Sequence, residues 1–288
     1  MGGRARGFWR AVDLAQARFL PAVPFAADDQ HKGWWEQVTR APRHVWRHYR
    51  LAASVPRPLT CAVLSDLHAG SQAGDLDRFE AIVSEVLARR FDLILLPGDF
   101  VNMQLFGGGR IRPEALAEIL APLARAAPAV AVLGNHDAEY GRARVTAALE
   151  GQGIRVLSNS SACVETAQGP VHVAGLEDHS SGTPDVASAL SGIEGEEPVI
   201  VLAHDPASFA DVPEGPAVTI CGHTHGGQMR LPLLGAVVNA SAAPLAWTHG
   251  HIVEGRRHLI VSAGLGTSGL PWRINCPPEI VAISLEPC

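Results

Sequence analysis

From Thr60 onward, short apolar runs recur along the chain, and five of them lead directly into clusters of Asp, His and Asn. Cys61 to Leu64 precedes Ser65-Asp66-Leu67-His68, and Leu93 to Leu96 precedes Pro97-Gly98-Asp99-Phe100. Ala129 to Leu133 leads into Gly134-Asn135-His136-Asp137, Val199 to Ala203 into His204-Asp205, and Val218 to Cys221 into Gly222-His223-Thr224-His225. Four or five apolar residues closed by turn-forming ones suit strands buried on both faces. In open α/β sheets, polar ligand-binding groups gather just outside the carboxyl ends of such strands. Between the first runs, Leu76, Phe79, Ile82, Val83, Val86 and Leu87 follow the helical period behind Asp75. A second helix is expected from Pro113 to about Ala127, and a third from Gly141 to Gln152, ended by Gly153. Beyond Gly153 short β segments dominate. A β-α-β-α-β half followed by a β-rich half predicts an α/β core with two sheets rather than one.

A chain of 288 residues can bury a full core without disulfides. No apolar run approaches the roughly 18 residues of a membrane span, and Arg4, Arg6, Arg10, Asp13 and Arg18 interrupt any secretory leader. The five cysteines (Cys61, Cys163, Cys221, Cys276, Cys288) form no C-x-x-C pair, which points to a reducing, cytoplasmic setting. The net charge of −6 is uneven: residues 1–57 hold ten Arg or Lys against four Asp or Glu, whereas residues 58–288 hold thirteen against twenty-five. An acidic body argues against a nucleic-acid partner. The boundary is therefore placed at 57/58, with a basic, aromatic extension before it that reads as one or two appended helices. Phe8, Trp9, Val12, Phe19 and Leu20 lie among arginines there, a mixture suited to peripheral contact with the inner face of a membrane.

The strand-end clusters supply His68, His204, His223, His225, Asp66, Asp99 and Asn135. This nitrogen and oxygen set without thiolate suits Zn, Mn, Fe or Co better than Ca or Mg. Seven donors exceed what one tetrahedral ion needs, and two ions sharing a carboxylate use them naturally. A single buried histidine is usually a hydrogen-bonded core residue. Five such clusters in order, each behind a buried strand, are a different matter.

The series Asp66-x-His68, Gly98-Asp99, Gly134-Asn135-His136-Asp137, His204 and Gly222-His223-x-His225 resembles the calcineurin-like metallophosphoesterases. Gly222 to Gln228, Gly264-Leu265-Gly266-Thr267, Pro271-x-Arg273 and Pro277-Pro278-Glu279-Ile280 resemble a bacterial phosphodiesterase branch that includes UDP-diacylglucosamine pyrophosphohydrolases. The resemblance spans roughly residues 58–288. It implies a four-layer α/β/β/α sandwich with two central mixed β-sheets and the metal site at strand ends. It further implies that Asp66, His68 and His225 hold one divalent ion, that Asn135, His204 and His223 hold another, and that Asp99 bridges them. The implied reaction is hydrolysis of phosphodiester or pyrophosphate bonds by a hydroxide bridging the ions, with His136 at the leaving group. Asn135, His136 and Arg273 are the expected substrate contacts, and a small-molecule phosphoester or nucleotide-linked lipid the expected substrate. His179 is a further candidate for the cleft. One departure stands out: Asn102 occupies the place where many relatives carry an aspartate that orients the catalytic histidine, so an amide would have to hold the imidazole here. The alternatives are a non-catalytic metal-binding scaffold of the same fold, and an amidohydrolase-type barrel, which would place its H-x-H on the first strand.

Overall fold

A computed structural model describes residues 29–30, 37, 39–104, 109–195, 197–232, 235–236 and 239–288. Two six-stranded sheets form its centre. The first is built from β1 (Val45–Ala53), β2 (Leu59–Val63), β3 (Leu93–Leu96), β4 (Ala129–Ala131), β5 (Arg155–Val156) and the last strand of the chain, β12 (Glu279–Pro287), in the order β1-β12-β2-β3-β4-β5. Strands β2 to β5 are parallel, and β12 is antiparallel to β2 but parallel to β1. The second sheet holds β6 (Ser160–Thr166), β7 (Gly169–Gly175), β8 (Val199–Leu202), β9 (Val218–Cys221), β10 (Gly250–Glu254) and β11 (Arg257–Val261), in the order β10-β11-β9-β8-β7-β6. Its four central strands are parallel, with an antiparallel hairpin partner at each edge.

The strands are apolar on both faces because both faces are covered. Leu93 and Leu95 point between the sheets, where with Cys61, Val63, Val130 and Val132 they meet Val173, Ile200, Leu202, Ile220 and Ile260. Their neighbours Ile94 and Leu96 point the other way, under the helices α1 (Asp75–Arg89), α2 (Pro113–Ala126) and α3 (Asn135–Glu150). The outer face of the second sheet has a thinner cover: the five-residue helix α4 (Val186–Leu190) and two 3-10 turns that bring in Phe209 and Trp247. The two mixed sheets and four layers expected from the sequence are thus present, with the fourth reduced to short elements.

Two local expectations differ from what is observed. Residues 45–53, expected to be helical, form β1, which pairs with β12 along its whole length. The free edge of β12 offers a full ladder of backbone partners, and alternation turns Leu51 and Ala53 inward. The sheet therefore begins upstream of the boundary drawn at 57/58. Helix α3 starts at Asn135 rather than Gly141, and Gly141 itself breaks it with a φ of 138°. The segment 4–20, expected to meet a membrane, lies outside the described residues. Among the described residues no helix is long and apolar enough to cross a membrane.

The parallel direction of β2, β3 and β4, and of β8, β9 and β11, brings six strand C-termini out on one side of the molecule. The sandwich depends on its inter-sheet core. Ile220→Ala, at a fully buried position of β9, is expected to cost about 2–5 kcal/mol in a urea unfolding titration.

Candidate metal centre

All seven expected ligands meet where those strands end. Five of them, Asp66 (φ 49°), His68 (40°), Asp99 (57°), His223 (68°) and His225 (50°), sit in the left-handed region that non-glycine residues rarely adopt. Bonds between loops hold them there. Asp66 and His68 donate their backbone N–H to the carbonyls of Gly98 and Asp99, Gly222 donates to His204, and Gly266 donates to Asp66. Glycine is required at 134 and 222 by closeness alone: a Cβ at the first would strike the Asp99 carboxylate, and at the second the side chains of Ser65 and Asp66.

The donor atoms form two adjoining groups, Asp66 with His68 and His225, and Asp99 with His204 and His223. In the first, His68 Nε2 stands 3.1 Å from His225 Nε2, which is 3.7 Å from Asp66 Oδ1. In the second, His204 Nε2 stands 3.1 Å from His223 Nδ1. Asp99 Oδ2 lies between them, 3.3 Å from His68 Nε2 and 3.2 Å from His204 Nε2. His136 joins His68 and Asp99 in a third, overlapping group.

Several features of this set fit divalent cations. His204 donates its Nδ1–H to the Pro97 carbonyl, 2.7 Å away, which turns Nε2 toward Asp99 and the shared space. His223 turns Nε2 toward Asp205 Oδ2 at 3.6 Å, leaving Nδ1 for the interior. The side-chain oxygen of Asn135 is buried with no hydrogen-bond partner. Burial drives the His68 imidazole down to about 3 and holds His225 well below its ordinary range, so both remain neutral ligands. Burial alone would raise the Asp99 carboxyl, but the facing imidazoles, His204 above all, hold it well below the usual carboxylate range. Burial would lower the His204 imidazole, but the facing carboxylates, Asp99 first, carry it well above its ordinary range, so a cation bound there would take the place of its proton.

Supporting residues had weaker signals in the sequence. The Asp137 carboxylate accepts the N–H groups of Asp99 (2.8 Å), Phe100 (2.8 Å), Val101 (3.2 Å) and Gly134 (2.9 Å), tying the loop after β3 to the start of α3. Burial, aided by the Asp99 charge, pushes its pKa up to about 7, while the amides of Gly134 and Val101 pull the other way. Asp205 accepts from Ser241 Oγ and Ala207 N, which fixes it against His223. Only their positions inside the two motifs hinted at these roles.

Three expected roles change. The Arg273 guanidinium is spent on the carbonyls of Ala263 (2.7 Å), Gly264 (3.2 Å) and Gly266 (2.5 Å) and on His225 Nδ1 (3.3 Å), and it does not line the cleft. It braces the 263–266 loop. Asn102 donates to the Gly109 carbonyl and accepts from Gln104 N, and so folds its own loop rather than holding His136. The loop carrying His179 reaches the cleft through Ser180 instead. Asn135 and His136 line that cleft, with Gln228 and Ser268 on its far wall.

This fold and this ligand set define a class. Residues 59–227 match the model of the calcineurin-like phosphoesterase family, and the chain belongs to that family and is a metallophosphoesterase. It is 32% identical over 260 residues to Phosphodiesterase YaeI of Escherichia coli (strain K12), covering 88% of this chain and 89% of that one. It is 28% identical to the uncharacterized metallophosphoesterase YkuE of Bacillus subtilis (strain 168), covering 77% of each. Among solved structures, a 5'-nucleotidase precursor from Thermus thermophilus aligns with a TM-score of 0.47 at 16% identity, over 79% of this chain and 54% of that one.

Two substitutions test the supporting residues. Asp137→Asn points an amide NH2 at backbone donors and is expected to cost about 2–3 kcal/mol in chemical unfolding. Asp205→Asn is expected to weaken metal retention roughly 10- to 100-fold by competition with a fluorescent chelator, with the fold intact by circular dichroism.

Proposed function

We propose that the chain hydrolyses phosphodiester or pyrophosphate bonds with two divalent cations, one held by Asp66, His68 and His225, the other by Asn135, His204 and His223, with Asp99 shared. Zn, Mn and Fe suit the donors. The single observation that carries this reading is the Asp99 carboxylate oxygen standing 3.3 and 3.2 Å from one imidazole of each group. Two such ions, when bound, would acidify a water and neutralise charge on a phosphoryl group.

The chain's own residues do the rest. Asn135 opens α3, so positive helix-end amides face the same space; the His136 N–H already donates to Asp99 Oδ1 at 3.0 Å. His136 lies in the cleft with Nε2 3.4 Å from Ser268 Oγ, placed to meet a leaving oxygen. Gln228 receives the Ser268 N–H and donates to the carbonyls of Ser268 and Leu270, which fixes the opposite wall. The near-complete burial of Asp66, His68, Asp99 and His204 keeps bulk water from the reacting centre.

The diester preference draws support from the name of the 32% identical relative. A nucleotide-linked lipid as substrate draws support from Leu231, Trp272 and Ile274, which are 49%, 42% and 51% exposed on the segments flanking Gln228 and Ser268. The same reading puts the enzyme in the cytoplasm, peripheral to the inner membrane face through its N-terminal segment. Five free cysteines agree with a reducing compartment. Against a non-catalytic scaffold stands the presence of every ligand together with His136.

Protein loaded with Mn or Zn is expected to cleave bis-p-nitrophenyl phosphate, and EDTA to abolish the activity. On a diester with an alkyl leaving group, His136→Ala is expected to lower turnover by about 10²- to 10⁴-fold while metal content holds. Clear preference for phosphomonoesters would overturn the substrate class, and no cleavage of any phosphoester would overturn the reaction. Sedimentation with anionic vesicles reads the membrane contact, which equal, negligible binding with and without residues 1–28 would overturn.

A further inference from the structure

With Asn102 occupied elsewhere, the orientation of His136 needs another source. The imidazole is held on one side by its neighbour His68, edge to face with ring centroids 4.9 Å apart. Nε2 looks into the cleft toward Ser268. Nδ1 is buried and has no hydrogen-bond partner within bonding distance. Glu139 stands one helical turn further along α3, with Oε2 3.6 Å from that nitrogen. Residues three apart on a helix share a face, so this proximity is built into the element.

We infer that Glu139 is a positioning residue for the reaction: its carboxylate fixes the His136 ring with Nδ1–H toward Glu139 and Nε2 toward the leaving group. Two physical points carry the assignment. A buried imidazole N–H without an acceptor is costly, and closing the gap to Glu139 by a few tenths of an ångström removes that cost. A carboxylate behind the histidine keeps a proton on Nδ1, as the carboxylate or carbonyl behind a metal-bound histidine does, and such contacts tighten when substrate arrives. The proton that Nε2 gives to the leaving oxygen comes from the doubly protonated ring and is regained from water. The plain competing role is that Glu139, 43% exposed in the first turns of α3, merely complements the helix dipole. That role predicts a loss of stability on substitution but no dependence on His136 or on the leaving group.

This inference rests on the phosphoesterase reading for its kinetic arm alone. Glu139→Ala and Glu139→Gln are compared in the full, metal-loaded chain, each with and without His136→Ala. On a diester with an alkyl leaving group, Glu139→Ala is expected to lower kcat about 10- to 100-fold with little change in KM. On a p-nitrophenyl diester, whose leaving group needs little help, the loss should be at most about 3-fold. Glu139→Gln, which keeps an acceptor, should recover most of the activity. In the His136→Ala background, Glu139→Ala should cost nothing further, because the two act through one imidazole. An equal loss in both backgrounds, or on both leaving groups, would overturn the inference.

A second arm needs no turnover. In the zinc-loaded protein, imidazole 15N shifts are expected to show His136 protonated at Nδ1, with that preference lost in Glu139→Ala. An unchanged tautomer overturns the inference even if the kinetics agree. A wild-type chain without phosphoesterase activity overturns the proposed function instead and leaves this measurement to decide for Glu139.

Discussion

Four imidazoles and two carboxylates crowd one dry space, and the residues around the centre hold them in that position. The imidazole nitrogens of His68 and His225, and of His204 and His223, each approach to 3.1 Å. Asp99 adds a carboxylate oxygen between the two pairs. Relaxation is prevented by backbone, because five of the ligands stand at positive φ and their loops are cross-tied by main-chain hydrogen bonds. Strain of this kind persists only where surrounding structure over-determines it. Here that structure is the parallel strand set of both sheets, packed through an apolar interior.

The supports divide by direction. On the β9 side, Asp205 stands behind His223, and Thr224 Oγ1 donates to the Thr248 carbonyl at 2.6 Å, joining the ligand loop to the outer cover of the second sheet. On the β3 side, Asp137 gathers four amides from two loops. Arg273 collects carbonyls of the 263–266 loop behind His225, and Glu279 accepts from Ala263 N at 2.9 Å and from His249 Nε2. Glu279 opens β12, the strand that carries β1 on its other edge. The last strand of the chain thereby connects the metal loops to a segment that looked like an appendage.

Buried charge explains why the supports are so many. Asp66, Asp75, Asp99, Asp137, Asp178, Asp205 and Glu279 are all nearly inaccessible to water. A buried carboxylate is tolerated when donors surround it or a cation faces it. Asp75 takes the first course with Gly70 N, Gln72 N and Arg78, and Asp178 with Ser180 and Ser181. Asp66 and Asp99 have fewer protein donors and face the shared space, as metal-facing carboxylates do.

The candidate ligands were legible in the sequence because both signals are local: a buried strand shows as an apolar run, and its polar end follows within four residues. Two sheets, the placement of α1 and α2, and the convergence of Asp66, His68, Asp99, Asn135, His204, His223 and His225 all follow from that pattern and the family resemblance. The use of Arg273 and Asn102 was not legible, since an arginine reads the same whether its donors meet substrate or the carbonyls of Ala263, Gly264 and Gly266. Nor was β1, whose aromatic, basic residues become a strand only beside β12, more than two hundred residues away. Sequence alone determined which donor atoms stand at the strand ends, because residue type and strand period are properties of neighbours in the chain. Tertiary structure decided which atoms orient them, because a hydrogen bond between distant loops has no period to read.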